Sequence, residues 1–242
     1  MNKNSKNKIL NITLIGFFAA LCYIALMLFF IPFAGMFIHF GNLIVVVAAL
    51  LIGGLNGGIA GSIGMGLFDL FNGHADSVPK TVILKFLIGL TVGIIFKIFN
   101  KEKRDNAKAM TISGLIFIMI SVILSLYSIF GGNNFSGNIK ILAPIFFIIG
   151  GVAIFFAIIN KKLPVKTSAA VIAAILGMCV NIVGELLWKT VQFTLAGSDF
   201  SAAFTASLLS QGSTLINAGI SVIGGVILYL SLEKPFKHIL SK

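Results

Sequence analysis

The sequence predicts an all-α protein, a polytopic transmembrane helix bundle of about eight segments forming one integral membrane domain over residues 1–242. Three observations predict it. Hydrophobic residues make up 58% of the 242 positions and charged residues only 10%, a balance outside that of soluble globular chains. Apolar runs near the ~20 residues needed to cross a bilayer recur from residue 9 to residue 232 and leave no stretch for a soluble domain of ordinary size. The formal net charge of +11 gathers at the ends of those runs, where it sets topology and argues against nucleic acid as a partner.

The first run, residues 9–31, comes after Lys3, Lys6 and Lys8. It is too long for the apolar core of a signal peptide and no small-residue cleavage site succeeds it, so it reads as a retained helix. The next two spans, 42–54 and 57–71, meet at GGLNGG, where glycine relieves backbone strain and weakens a helix. Charge decides between one long helix and two short ones. The basic clusters are the N-terminal lysines, Lys97/Lys101/Lys103/Arg104/Lys108, Lys161/Lys162/Lys166 and Lys234/Lys237/Lys242. A break at 53–57 puts all of them, and both termini, on the cytoplasmic side of the cell membrane; an unbroken helix strands the second cluster outside. The remaining spans are 79–99, 110–130, 141–160, 167–195 and 207–232. Cys22 and Cys179 fall inside spans and offer no framework of disulfides or metal ligands. Beyond the turn, Gly57, Gly61 and Gly64 form a small-xxx-small face that admits neighbouring helices closely.

Hydrogen-bonding and ionisable side chains are expensive in a bilayer and mark sites or structural pairs. On the topology above they collect in the outer half. Asp69 ends an outward span, Lys80 and Lys85 begin an inward one, Glu185, Lys189 and Gln192 end another, and Gln211, Thr214 and Asn217 open the last. His39 and Asn42 adjoin the first external loop; His74 and Asp76 lie in the second. The cytoplasmic half carries no comparable set, so the pattern predicts a pocket open to the outside, not a channel. The candidate substrate-binding residues are His39, Asn42, Asp69, His74, Lys85, Glu185, Trp188, Lys189, Gln192, Thr214 and Asn217. Structural readings stand beside the functional one. Glu185 and Lys189 have the i,i+4 spacing of a pair that neutralises itself on one helix, Asp69 and Lys85 suit a pair between helices, and Trp188 is either an interfacial anchor or a stacking face for a flat ring.

Enzymatic chemistry finds no support. Three histidines without carboxylate or cysteine spacing make no metal site. No G-x-S-x-G, H-E-x-x-H or paired intramembrane aspartates occur, so no catalytic residues are assigned. GSIGMG sits in an apolar helix with no strand before it, and G-x-x-x-x-G-K-[ST] is absent, so the chain is not expected to bind ATP.

The run HFGNLIVVVAALLIGGLNGGIAGSIGMGLFDLFNGHADSVPKTVILKFLIGLTVGIIF resembles the substrate-binding S components of energy-coupling factor (ECF) transporters, in particular the riboflavin-transporter-like group. Gly41, Asn42, Gly57, Gly61, Gly64, Asp69, Leu70, Pro79, Thr81, Lys85 and Gly89 stand where that group's ordered motifs place such residues. The resemblance covers residues 10–99 well and 167–232 more weakly: Glu185 stands where an aromatic residue is common, and QGSTLIN replaces P-G-N-x-x-Q, with Thr214 and Asn217 at the amide positions. It implies a six-helix core to which 103–163 adds two inserted helices, 110–130 and 141–160, without changing the orientation of the helices downstream.

The resemblance further implies a subunit that captures a vitamin or precursor outside the cell and hands it to a transmembrane coupling subunit, with ATP hydrolysed by a partner ATPase pair and no cofactor bound by this chain. In the family a small-xxx-small pattern on the first helix meets the coupling subunit; Gly16 and Ala20 have that spacing, which also suits ordinary helix packing. The expected ligand is a small heterocycle, a pyridoxine-like or pyrimidine vitamin precursor for example. The rival expectation is an autonomous ion-coupled secondary transporter in which Asp69 or Glu185 binds a proton or sodium ion.

Overall fold

The computed structural model describes residues 3–29, 31–33, 36–100 and 161–240, together with scattered positions between 111 and 158. Among them the chain forms the expected helix bundle: α1 (Lys3–Leu28), α2 (Gly41–Ile52), α3 (Gly54–Phe71), α4 (Val78–Phe99), α5 (Val165–Leu195), α6 (Phe200–Leu209) and α7 (Gly212–Leu240). Four helical stretches among the described residues are long and apolar enough to cross a membrane: Lys8–Leu28, Ala75–Phe99, Val165–Leu195 and Gly212–His238. The backbone divides into two compact units, Met1–Ile98 with Ala170–Lys242, and Phe99–Ala169. The inserted spans expected at 110–130 and 141–160 lie largely outside the described residues; the positions described there are helical.

Two boundaries differ from the sequence expectation. The apolar run predicts a first span to residue 31, but α1 ends at Leu28 and gives way to a short antiparallel hairpin, β1 (Ile31–Phe33) with β2 (Met36–Ile38), pairing Ile31 with Ile38. Pro32 biases the residue before it towards extended backbone, which is incompatible with continuing the helix. The last span is predicted to begin at residue 207, but α6 and α7 are separate helices and Gln211 sits in the turn between them. Asp199 caps α6 by accepting from the backbone N–H groups of Ser201 and Ala202.

The glycine stretch does what its clustering predicts. Gly53 has φ +90°, a conformation that L side chains rarely adopt, and there the chain reverses. α2 and α3 then pack antiparallel, with Ala49 backbone against Gly57, Val45 over Gly61 and Met65 against Gly41, pairs that recede one turn at a time from Gly53 on both sides. Gly64 meets the backbone of Ala19 and the side chain of Cys22 on α1. The other side of α3 receives α4, where Gly54 lies against Gly93 and Gly58 against Gly89, backbone to backbone. Ser62 Oγ donates to the Val82 carbonyl at 2.7 Å across the same seam.

α5 packs on α4 through Gly177 over Val92 and Gly184 over Leu84. α7 lies over α2, with Gly224 against Leu43 and Gly225 against Val46, and its Phe236 and Tyr229 rings meet Phe18 of α1 and Phe96 of α4. Cys22, Val45, Val46, Ile88, Val92, Ala173 and Met178 form the buried centre. In lipid such a core is held by close van der Waals contact more than by exclusion of water, which is why small residues recur at its seams.

Candidate functional site

At the end of the bundle where α3 finishes and α4 and α7 begin, a cavity of about 280 Å³ opens. The sequence folds this way locally because the polar residues lie at helix ends and two reversals bring those ends together: the one after α3, where Asn72 Nδ2 donates to the Phe68 carbonyl, and the α6–α7 turn. Ten of the eleven expected residues line it: His39, Asn42, Asp69, His74, Lys85, Glu185, Lys189, Gln192, Thr214 and Asn217. Leu26 and Met65 supply an apolar floor.

Trp188 is the exception. It does not line the cavity, and its indole Nε1 is buried without a partner among the described residues. Trp188 lies on the same α5 stripe as Gly177 and Gly184, at spacings of eleven and four, and that stripe faces α4. The stacking face expected of it is therefore not on the wall, and no Phe, Tyr or Trp side chain among the described residues is.

The polar partners differ from those expected from spacing. Asp69 Oδ2 accepts from Thr81 Oγ1 at 2.5 Å, while Lys85 Nζ donates to Asn181 Oδ1 at 2.9 Å, so the Asp69–Lys85 pair is replaced by two hydrogen bonds. Helix register explains this. With Gly58 beside Gly89 in antiparallel helices, Asp69 comes level with the first turn of α4, where Thr81 meets it before Lys85 can. Glu185 is paired across helices: Lys80 Nζ approaches its Oε2 at 3.0 Å. Lys189 reaches from α5 to the α6–α7 turn, donating to Ser210 Oγ at 2.8 Å.

Of the further wall residues, Asp76 and Lys80 belong to the outer polar set read from the sequence but not to its binding candidates, and Ser77, Thr81 and Asn181 are outside that set. Asn181 was detectable, because 181, 185, 189 and 192 form one helical stripe. The pairing of Lys80 was not, since it depends on which helix stands opposite.

Two wall groups have no partner among the described residues. Asn42 is 1% exposed and its Oδ1 accepts nothing there; His39 Nδ1 is likewise buried and unsatisfied. The His39 backbone N–H donates to Asn217 Oδ1 at 2.9 Å, tying the segment after β2 to α7. Burial first, then the positive charges of Lys85 and Lys80, push the His39 imidazole down to about 3, so it is neutral near physiological pH. Among the described residues no cluster of His, Cys, Asp or Glu is arranged to hold a metal ion. The wall is thus a set of directed donors and acceptors around a small void, suited to binding and orienting a polar solute.

Gly16 and Ala20, the expected partner-binding pair, both lie exposed on α1, and a side chain at Gly16 would meet nothing within 4 Å. Neither curated proteins nor solved structures give a match. The family model described as ECF-type riboflavin transporter, S component, matches residues 6–161, a range that runs through most of the 103–163 stretch and stops before 167–232. The chain therefore belongs to this family: it is an S component, the substrate-binding subunit of an ECF transporter that works with a membrane coupling subunit and ATPases.

Proposed function

We propose that this S component captures a small heterocyclic vitamin or vitamin precursor in the cavity at the ends of α3, α4, α5 and α7, and that the cavity faces the outside of the cell. The observation that carries the reading is the pair of sealed polar atoms on the wall, His39 Nδ1 and Asn42 Oδ1, which find no partner among the described residues. Buried polar groups in proteins are almost always satisfied, so such atoms beside a void await a ligand's complementary atoms. The outward orientation rests on Lys8, Lys97, Lys234 and Lys237, which sit at the ends of α1, α4 and α7 away from the cavity. A volume of about 280 Å³ stands at the small end of ligand cavities, about 300–1000 Å³. That suits a single ring better than riboflavin, the vitamin in the family's description.

The ligand is then delivered through the coupling subunit, for which the open Gly16/Ala20 face of α1 is the proposed docking surface. ATP is hydrolysed by the partner subunits, and this chain carries no cofactor of its own. Native mass spectrometry of the detergent-purified protein, then calorimetric titration of the ligand found, tests the reading. A retained single-ring heterocycle is the expected result. Ion-gradient-driven flux in liposomes containing this chain alone, with no heterocycle retained, would overturn it in favour of an autonomous carrier.

A further inference from the structure

Resting on the capture reading, we propose that the ligand is a monoanion: a small ring whose single carboxylate docks on Lys85 Nζ while a ring N–H is donated to Asn42 Oδ1. Lys85 is 4% exposed yet lines the cavity. Its hydrogen bond among the described residues goes to a neutral amide, Asn181 Oδ1 at 2.9 Å. An ammonium has three N–H donors, so Lys85 is a buried cation with donors to spare and, among the described residues, no carboxylate bonded to it. Burying a charge this way is costly unless an opposite charge is supplied. The wall's own carboxylates bond elsewhere among the described residues, Glu185 to Lys80 and Asp69 to the neutral hydroxyl of Thr81, so they act on Lys85 through space and not by direct contact.

The packing beneath Lys85 serves this placement. At Gly61 the missing side chain leaves room for Val45, which would stand 2.6 Å from a Gly61 Cβ, and the Lys85 stem packs beside the same spot at 3.4 Å. Asn42 sits one turn from Val45 on α2, and its buried Oδ1 is an acceptor with no donor among the described residues. The cavity therefore offers an under-used cationic donor and an empty acceptor, the complement of a ring acid carrying an N–H. The wall also carries three carboxylates, Asp69, Asp76 and Glu185, which repel a dianion such as a phosphate ester more strongly than a monoanion.

Ring acids and their amides, equal in size and differing in charge, separate this from simple recognition of a carbonyl. Calorimetric titration of the wild-type protein in detergent compares uracil-6-carboxylate with uracil-6-carboxamide, and pyridine-3-carboxylate with pyridine-3-carboxamide. Each acid is expected to bind about tenfold more tightly than its amide, since with the carboxylate both partners of the Lys85 hydrogen bond are charged and with the amide only the donor is. Lys85→Met should abolish that gap. The uracil acid, which has ring N–H groups, should bind more tightly than the pyridine acid in wild type and lose the advantage in Asn42→Leu. An amide that binds as tightly as its acid, an acid preference that survives Lys85→Met, or binding of neither acid overturns the proposal; the wild-type comparison decides even if a variant does not fold. An uncharged heterocycle retained on purification would sink the monoanion and leave the capture reading standing.

Discussion

Lys80 and Glu185 form an ion pair whose side chains are 15% and 9% exposed, placed on different helices and beside a cavity. Removing one partner of so buried a pair leaves an uncompensated charge, whereas replacing both with apolar residues is tolerated. Lys80→Met alone should therefore cost about 3 kcal/mol of stability, and Lys80→Met with Glu185→Leu should recover most of it. Thermal unfolding in detergent measures both, and a double variant as unstable as the sum of the singles would refute the pairing. His39 makes a pH prediction. Its folded-state value is lowered to about 3 from the ordinary 6.5, so below the ordinary value the unfolded chain binds the extra proton. Its contribution to stability is complete above that value and is lost as pH falls towards the folded-state value. The melting temperature of the wild type should drop between about pH 7 and about pH 5, and that of His39→Gln should drop less. Equal slopes would show that His39 is not held neutral.

Between elements, glycine sorts into two kinds that sequence alone does not separate. Gly58 and Gly89 touch backbone to backbone between α3 and α4, so a side chain at either has no space and the helices must part. Gly16 has open space around it. Gly89→Val should strongly reduce the yield of folded protein after membrane extraction, whereas Gly16→Val should fold and melt as the wild type does. Size-exclusion profiles of the two variants check this, and a well-folded Gly89→Val protein would mean that α3 and α4 are not in this register. The register matters for the site as well as the fold, because it sets Asp69 level with Thr81 and leaves Lys85 to Asn181.

For the whole molecule, the test of the docking face is transport and not binding. Gly16→Val should retain ligand affinity within about twofold, as expected for a residue remote from the cavity, and lose ATP-dependent uptake in cells or liposomes that contain the coupling subunit and ATPases. Unchanged uptake would remove α1 as the docking surface. On the proposal that transport is driven through the coupling subunit, the chain alone should catalyse no gradient-driven flux, and this same liposome measurement separates it from a self-sufficient carrier.

The helical class, the break at Gly53 and ten of the polar residues around the cavity were legible in the sequence, because each obeys a local rule. Long apolar runs must be helical in lipid, clustered glycines weaken a helix where the chain turns, and hydrogen-bonding side chains are too costly in a bilayer to be scattered without reason. Pro32 in particular could have announced the end of α1, but the apolar run continuing past it masked the signal. Tertiary structure alone decided which of those side chains meet. Asp69 goes to Thr81, Lys85 to Asn181 and Glu185 to Lys80, while Trp188 turns from the cavity, because helix register and facing depend on close contacts between segments far apart in sequence, such as Gly58 with Gly89 and Gly184 with Leu84. Spacing along one helix shows which residues share a face; only packing determines what that face meets.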